Sequence, residues 1–284
     1  MTPRSFLFVP ANRADLAAKA GNSGADAVCF DLEDAIPAPE KAAARTALAD
    51  AVAIARQTSL LVYVRVNAEL EHVADDLGAA FEAGIDGIVL PKARDLEHIT
   101  SVCEAMAPLD HRSDPTPLIA MIEDVAAMDN LRRGSRTAPA RLSGLFFGPE
   151  DYCADLGVAP SVTVLEPAFF AFVELARLLN VSAFGFPGSI AEFKDLDSLA
   201  DWVAKGRAFG AVGAFCIHPK QVAILNSAFT PNADEITWAR KVLAAFAEAS
   251  VQGHGVIALE GRMIDRPVVE RAKRILAHTG ADER

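Results

Sequence analysis

The chain lacks the composition of a nucleic-acid-binding or membrane-spanning protein. Its 284 residues include 27 Lys and Arg against 38 Asp and Glu, a net charge of −11, whereas binding to a phosphate backbone requires clustered cations. No apolar run approaches the roughly 18 residues that span a bilayer, and the first residues contain no small-residue cleavage site for secretion. We therefore expect a cytoplasmic protein that binds neither nucleic acid nor membranes.

Cysteine is also scarce, and its spacing argues against a zinc site or a redox pair. The four cysteines, Cys29, Cys103, Cys153 and Cys216, form no C-x-x-C pair and no cluster with histidine. Cys29 and Cys216 lie in apolar runs, where a thiol behaves as a small buried hydrophobic group. A G-x-G-x-x-G motif is also missing after the first predicted strand, which disfavours a dinucleotide-binding fold.

Short apolar runs recur along the whole chain and alternate with Ala-rich segments of helical period. Apolar runs without polar alternation are typical of parallel strands that are buried on both faces. Eight alternations predict a (β/α)8 TIM barrel, and a doubly wound open sheet is the alternative. The predicted strands are residues 5–10, 27–32, 60–66, 87–92, 117–123, 142–149, 181–187 and 213–219, and the predicted helices include 41–54, 73–83, 165–179 and 199–209.

The chain continues well beyond the eighth predicted strand. Its periodicity predicts a helix over residues 233–250, a Gly-punctuated loop or hairpin, and a final helix over 267–278. We expect a barrel domain over residues 1–225 and a C-terminal helical extension over 226–284. The extension is either a lid or oligomer arm, or an additional packing element.

Polar side chains follow the predicted strands at their carboxyl ends, where the loops of a barrel converge on the active site. Glu123 ends one apolar strand and Asp151 follows another. Two isolated carboxylates suit Mg²⁺, which takes one or two protein carboxylates and completes its shell with water and substrate oxygens. The other interpretation is that both residues form salt bridges at the strand ends.

Three cationic or titratable residues in the same region each leave two interpretations open. Arg65 either binds a substrate carboxylate or pairs with Glu33 or Asp34. Lys92 is either a Schiff-base lysine or a charged partner for those carboxylates. His218 is either a general base or a structural residue at the start of a helix.

A series of motifs, in this order, resembles the citrate lyase beta subunit and malyl-CoA lyase group of the aldolase/citrate lyase superfamily over nearly the whole chain. Known members of that group are Mg²⁺-dependent (β/α)8 barrels that assemble as trimers or hexamers, so the resemblance implies a homotrimer or homohexamer. The motifs are RSFLFVPANR (4–13), DAVCFDLEDAIPAPEKAAAR (26–45), VRVN (64–67), LPK (90–92), MIE (121–123), GPEDYCADLG (148–157), IHPKQV (217–222), FTP (229–231) and GRMIDRP (261–267).

The resemblance implies a role for each matching residue. Glu123 and Asp151 match the two metal ligands, and Arg65 matches a catalytic arginine that contacts the substrate. Asp265 matches a catalytic acid that the C-terminal segment delivers into a neighbouring subunit. Phe8, Arg13 and Lys19 match positions that contact coenzyme A. Glu33, implied to be a catalytic-site residue, and Asp34 are implied to hold Lys92 and the water molecules bound to the metal.

The resemblance implies a carbon–carbon lyase that cleaves a 3-hydroxyacyl-CoA thioester of the malyl-, citramalyl- or citryl-CoA type. The products would be acetyl-CoA and a small keto acid, formed by retro-Claisen chemistry with Mg²⁺. Two alternatives stay open, a class II pyruvate-type aldolase acting on free hydroxy-keto acids and a citrate lyase beta-type subunit that requires an acyl-carrier partner. The chain departs from common family residues at Ala11, Asp124 and residues 186–189, and we expect Ala11 and the 186–189 loop to shape the acyl pocket.

Overall fold

The chain folds as two compact units, one of residues 3–227 and a second that includes residues 228–284. The computed structural model describes residues 2–58, 60–191, 193–251 and 255–277. Each unit has a hydrophobic core of its own. In the described part of the chain, no helix combines the length and the apolar character needed to cross a membrane.

Eight parallel strands form the centre of the first unit, in the order β7-β6-β5-β4-β3-β2-β1-β8. A parallel bridge between Phe184 and Gly213 joins the two ends of this sheet, so the barrel is nearly closed. This confirms the predicted (β/α)8 barrel and its strand positions, with most strands shorter than predicted. The strands are β1 (Ser5–Pro10), β2 (Ala27–Asp31), β3 (Leu61–Arg65), β4 (Gly87–Leu90), β5 (Leu118–Ile122), β6 (Leu142–Phe147), β7 (Ser182–Phe184) and β8 (Ala214–Cys216).

Helices follow each strand, as a barrel of this type requires. Three of the predicted crossover helices begin before their predicted first residue, because a first turn that precedes the apolar stripe carries no periodic signal. Asp195, for example, caps the helix after β7 by accepting a hydrogen bond from the Ser198 amide. The helices are α1 (Ala14–Gly21), α2 (Lys41–Arg56), α3 (Leu70–Ala83), α4 (Leu96–Met106), α5 (Val125–Arg133), α6 (Pro149–Asp155), α7 (Val162–Leu178), α8 (Leu196–Phe209) and α9 (Pro219–Phe229).

Aromatic side chains fill the interior of the barrel. Phe6 stacks on Phe215 with ring centroids 4.4 Å apart and meets Tyr63 edge-on at 5.0 Å. Gly87 makes room for this layer, since a Cβ at that position would lie 2.1 Å from the Tyr63 ring. The interior is therefore a packed core rather than a pore, and a ligand can enter only at its ends.

The described residues of the second unit form two helices and a hairpin, α10 (Ala233–Val251), β9 (Ile257–Leu259), β10 (Arg262–Ile264) and α11 (Arg266–Ala277). Glu260 and Gly261 connect the two strands with φ angles of 50° and 77°, and positive φ at both positions is what a two-residue type I′ turn requires. The predicted helices and the hairpin are confirmed over the described residues. The predicted last helical residue, His278, lies outside them.

Candidate functional site

Three charged residues continue the interior face of the barrel at its carboxyl end. Side chains two residues apart on a strand share a face, so Asp31 follows Cys29 and Arg65 follows Tyr63. Glu123 follows the buried Met121 in the same way. The strands that form the apolar interior therefore also direct these charged groups toward a single opening.

A cavity of about 450 Å³ lies at this opening. It brings together Phe8, Asp34, Arg65, Glu123 and Asp151, five of the residues predicted for the site. The other side chains that line it are mostly apolar. The full lining is Phe8, Val9, Pro10, Asp31, Asp34, Ala35, Arg65, Met121, Glu123, Phe146, Gly148, Pro149, Glu150, Asp151, Ile190 and Ile217.

Glu123 is a buried carboxylate, only 3% exposed. Burial raises its pKa to about 7, and the negative charges of Asp151 and Glu33 also raise it. The hydrogen bond from the Lys92 amide and the positive charge of Arg65 act to lower it. That amide donates to Oε2 of Glu123 at 2.5 Å. The raised pKa means that burial in this site disfavours the ionised form of the carboxyl group.

Asp151 and Glu150 occupy the first turn of α6. The helix starts there because Pro149 supplies a helical φ at its first position, where no backbone N–H is needed, and Gly148 precedes it. A Cβ on Gly148 would lie 2.6 Å from Cγ of Glu123. Glycine at this position therefore allows the turn that carries Asp151 to approach the Glu123 side chain.

The donor set fits a hard divalent cation in an open site. Glu123 and Asp151 supply two carboxylates, and Oε1 of Glu150 is buried without a hydrogen-bond partner. Among the described residues, no three His, Cys, Asp or Glu side chains group into a cage that could hold a metal ion by themselves. Mg²⁺ requires no such cage, since it usually keeps several water or substrate ligands.

Arg65 is held by a network of carboxylates. Its Nε and Nη2 donate to the two oxygens of Asp31 at 2.7 and 2.6 Å, and Nη1 lies 3.1 Å from Glu33 and 3.7 Å from Asp34. Burial acts to lower the pKa of Arg65, but the hydrogen bonds and charge of Asp31 and the charge of Glu33 raise it. Its guanidinium carbon lies 4.8 Å from the centroid of the Phe8 ring, within cation–π distance.

Both interpretations of Arg65 are compatible with this geometry, because the side chain is paired and also lines the cavity. Its closest partner is Asp31, which was not among the partners predicted for it, Glu33 and Asp34. The signal was available, since Asp31 and Arg65 end neighbouring strands and stand opposite each other in the parallel register.

Lys92 connects the two acidic regions of the site. Its ammonium lies 2.5 Å from Glu33 and 3.3 Å from Asp34, while its amide donates to Glu123. Burial would lower the pKa of Lys92, but these carboxylates raise it, and a protonated amine does not form a Schiff base. The geometry therefore favours the charged-partner interpretation. Its φ of 48° lies in the left-handed region, a strained conformation that is common at functional sites.

Glu33 does not line the cavity. It is 3% exposed and lies behind Arg65 and Lys92, which it contacts. Burial raises its pKa against the opposing effects of Arg65 and Lys92. The structure therefore places Glu33 where it can orient these two cations.

Of the other predicted site residues, Arg13 and Lys19 do not line this cavity. Arg13 and Lys19 are at the start and end of α1, exposed, and both face Asp15, at 2.7 and 3.9 Å. Asp265 belongs to the second unit, where it caps α11 by accepting a hydrogen bond from the Val268 amide at 3.3 Å.

Two further residues weighed from the sequence have structural roles. The His218 ring stacks on Phe193, and its Nδ1 accepts a hydrogen bond from the Lys220 amide. Asp124, one of the positions at which the chain departs from common family residues, caps α5 by accepting a hydrogen bond from the Ala127 amide at 2.6 Å. Because Asp is a good N-cap, this departure preserves the start of the helix after Glu123.

Sequence reasoning did not select Gly148, Glu150, Ile190 or Ile217 as site residues. Glu150 was adjacent to a predicted ligand, and Ile217 follows Phe215 at the two-residue spacing of the barrel interior. Gly148 and Ile190 carried no comparable signal, because their importance depends on what lies across the cavity.

Comparisons with known proteins cover nearly the whole chain. The sequence profile of the HpcH/HpaI aldolase/citrate lyase family matches residues 4–219. A citrate lyase subunit beta-like protein from Deinococcus radiodurans is 38% identical over 282 residues, which cover 97% of this chain and 96% of that protein. A (3S)-malyl-CoA thioesterase from Cereibacter sphaeroides is 32% identical over 284 residues, with coverage of 98% and 95%.

A solved structure shares the architecture. CitE from Mycobacterium tuberculosis, in complex with magnesium, acetoacetate and coenzyme A, is similar with a TM-score of 0.72 and 27% sequence identity. The similarity covers 97% of both chains. The likeness thus includes the barrel and extends into the residues that follow it.

Proposed function

Because the chain belongs to the HpcH/HpaI aldolase/citrate lyase family, we propose that it is a Mg²⁺-dependent lyase for 3-hydroxyacyl-CoA thioesters. The substrate would be of the malyl-, citramalyl- or citryl-CoA type, and the products acetyl-CoA and a small keto acid. The observation that carries this proposal is the cavity in which Glu123 and Asp151 lie with Arg65. The magnesium and coenzyme A in the related CitE structure support it.

Glu123 and Asp151 would hold the metal ion, and the unpartnered oxygen of Glu150 adds negative charge beside them. Bound Mg²⁺ supplies Lewis-acid chemistry, which lowers the free energy of negative charge on substrate oxygens. The Lys92 amide fixes one oxygen of Glu123, so that the carboxylate is already oriented.

Cleavage transfers the hydroxyl proton to solvent, turns that C–O bond into the carbonyl of the keto acid and leaves the electron pair of the broken carbon–carbon bond on the acetyl-CoA carbon. Arg65, which keeps N–H groups free beyond its bonds to Asp31, would stabilise the negative charge on the substrate. Asp265 would donate a proton to the acetyl-CoA carbon. Glu33 and Asp34 would keep Arg65 and Lys92 in position.

Coenzyme A would bind beside Phe8, with Arg13 and Lys19 facing its phosphates. Both cations are exposed and share one carboxylate, Asp15. Exposed ion pairs of this kind are weak, so a phosphate can replace Asp15 at small cost.

The proposed active assembly is a homotrimer or homohexamer, in which residues 226–284 of one subunit serve as a lid over the barrel, residues 1–225, of another. This arrangement would give Asp265, which is in the second unit, a role in the site. The four cysteines are free thiols, as is usual in the cytoplasm, and this supports a cytoplasmic location.

Incubation of the purified protein with malyl-CoA, citramalyl-CoA and citryl-CoA plus Mg²⁺ tests the proposal, with keto-acid release as the measurement. The variant Asp265→Asn retains a good N-cap for α11 but loses the acidic proton. We expect its turnover to fall by about 100-fold or more, with Mg²⁺ affinity and thermal stability unchanged.

Absence of keto acid from all three esters would contradict the proposal for the isolated protein. Release only after addition of an acyl-carrier partner would instead identify a citrate lyase beta-type subunit. Cleavage of free hydroxy-keto acids, with no binding of coenzyme A, would identify a class II aldolase.

A further inference from the structure

The motif IHPKQV contains a buried amide side chain that the proposed reaction does not use. Gln221 is 1% exposed and lies in the first turn of α9, which follows β8. A buried amide is costly unless its N–H and C=O groups have hydrogen-bond partners. The partners of Gln221 therefore show which parts of the barrel it holds.

Gln221 bonds to the loops that follow two different strands. Its Oε1 accepts hydrogen bonds from the amides of Ile217 and His218, at 3.0 and 3.1 Å. Its Nε2 donates to the carbonyl of Ile190 at 3.0 Å. Ile217 and His218 follow β8, and Ile190 lies between β7 and α8. One side chain therefore joins the loop after β7 to the loop after β8.

These loops lie where the sheet closes on itself. β7 and β8 are its two end strands, each has three residues, and a bridge between Phe184 and Gly213 joins them. Strands this short provide few hydrogen bonds to fix the loops beyond them. The stack of the His218 ring on Phe193 also joins the two loops. Side-chain contacts therefore contribute to their relative position.

The loops held by Gln221 carry two side chains of the cavity, Ile190 and Ile217, which we call the apolar wall. Ile217 is 43% exposed to solvent, so that it is available to contact a ligand. The proposed metal ligands come from other elements, since Glu123 follows β5 and Asp151 lies in α6. A shift of the apolar wall therefore changes the cavity without moving the strands that carry the metal ligands.

From these contacts, we infer that Gln221 is a positioning residue for substrate binding. It holds Ile190 and Ile217 in place, and these two side chains pack against the carbon chain of the bound thioester. The identity of the substrate rests on the proposed function. The link that Gln221 makes between the two loops does not.

The variant Gln221→Met tests the inference, because methionine has a similar length and no N–H group. We expect KM for the CoA ester that the protein cleaves to rise by about tenfold or more, with a smaller change in kcat. The dissociation constant of Mg²⁺ should not change. Steady-state kinetics and calorimetric titration with MgCl₂ measure the two quantities.

Asn226→Leu is the matched control on the same helix. The Asn226 amide donates to the Gly24 carbonyl at 2.7 Å, and its Oδ1 accepts from the Ser5 hydroxyl at 2.6 Å. Ser5 begins β1, so these bonds lie at the amino end of the barrel. The control should lower thermal stability and leave KM unchanged.

Trp202 provides a measurement that requires no substrate. A Cβ on Gly188 would lie 2.3 Å from the Trp202 ring, so the loop after β7 packs directly against this indole. The chain has one other tryptophan, Trp238, which Trp238→Phe removes. In that background, Gln221→Met should shift the emission of Trp202, whereas Asn226→Leu should not.

A double-mutant cycle distinguishes positioning from a general loss of stability. If Gln221 acts through the apolar wall, Gln221→Met should raise KM by much less in a protein that already carries Ile190→Ala and Ile217→Ala. Gln221→Asn is a second variant, with the same amide on a side chain one carbon shorter. It should change KM and Trp202 emission in the same direction, and it decides the matter if Gln221→Met does not fold.

Unchanged KM and emission in a folded Gln221 variant would overturn the inference. Additive effects in the cycle, or an equal rise of KM in Asn226→Leu, would do the same. If the parent protein cleaves no CoA ester, the proposed function fails. The emission of Trp202 then still decides whether Gln221 holds the loop after β7.

Discussion

Gly148 is the residue at which a single added carbon should have the clearest effect on metal binding. A Cβ added at Gly148 would lie 2.6 Å from Cγ of Glu123. The variant Gly148→Ala must therefore displace the Glu123 side chain or the start of α6. Because residues that orient metal ligands affect affinity strongly, we expect the Mg²⁺ dissociation constant to rise by roughly 10- to 100-fold. Isothermal titration of the purified variant with MgCl₂ measures this.

Gly78→Ala provides the control for that experiment. Gly78 lies in α3, and an added Cβ there meets no atom within 4 Å, so the change should leave Mg²⁺ affinity unaltered. Unchanged affinity in Gly148→Ala as well would show that Glu123 does not hold the ion.

Lys92 illustrates how one residue can organise a site through both its backbone and its side chain. The amide donates to Glu123, and the ammonium contacts Glu33 and Asp34. Sequence reasoning identified the ammonium contacts as one of two alternatives. It could not identify the amide contact, because every residue except proline has an N–H, and only the fold determines where it points.

At the scale of elements, the carboxyl and amino ends of the barrel have different roles. The carboxyl ends of β2, β3 and β5 carry the charged cluster of the site. Near the amino ends of β5 and β6, Asp110 instead ties loops together, because it accepts a hydrogen bond from the Thr116 amide at 2.7 Å and forms a salt bridge with Arg141. Interactions at this end of a barrel contribute mainly to stability.

Asp110 makes stability depend on pH. Burial would raise its pKa, but the Thr116 amide and Arg141 lower it to about 2, from an ordinary value of 3.8. Because the folded state holds the ionised form, this contribution is complete above the unfolded pKa and is lost as pH falls through the folded value. The difference corresponds to about 2 kcal/mol at neutral pH.

We therefore expect Asp110→Asn to lower the free energy of unfolding by about 2 kcal/mol at pH 7, with nearly the same difference at pH 5 and smaller differences at pH 4 and pH 3. Urea unfolding of both proteins at pH 7, 5, 4 and 3 measures the difference. Mg²⁺ affinity should not change, and a stability difference that is constant across this range would show that the charge is not responsible.

At the scale of the whole molecule, the proposed exchange of the C-terminal unit between subunits can be tested by mixing inactive variants. Asp265→Asn leaves the barrel intact, and Glu123→Gln leaves the C-terminal unit intact. We expect co-expression of the two variants in equal amounts to restore about a quarter of the sites in a closed oligomer, if a site combines the barrel of one subunit with Asp265 of another. About half of the barrels keep Glu123, and about half of those face a neighbour that keeps Asp265.

Keto-acid release by the co-expressed protein, compared with each variant purified alone, gives the result. The mixture of separately folded variants, without subunit exchange, is the control and should remain inactive. Absence of any recovery in a confirmed mixed oligomer would show that Asp265 acts within its own subunit or not at all.

The family and the enzyme class were predicted from ordered motifs, and both are confirmed, since the chain belongs to a family of aldolases and citrate lyases. The barrel was predicted from apolar runs and is confirmed as well. These predictions succeeded because parallel strands that are buried on both faces need continuous apolar sequence. The polar residues that interrupt this apolar sequence mark the strand ends.

The sequence by itself determined the strands, the helices and the charged residues that end the strands, because these depend on local periodicity and on neighbours along the chain. Only the tertiary structure decided that Asp31 holds Arg65, that Gly148 must lack a side chain and that Arg65 is the single cation among the described residues lining the cavity. Each of these depends on atoms brought together from different strands and loops. Closure of the barrel sets those distances, and no single segment of the chain encodes them.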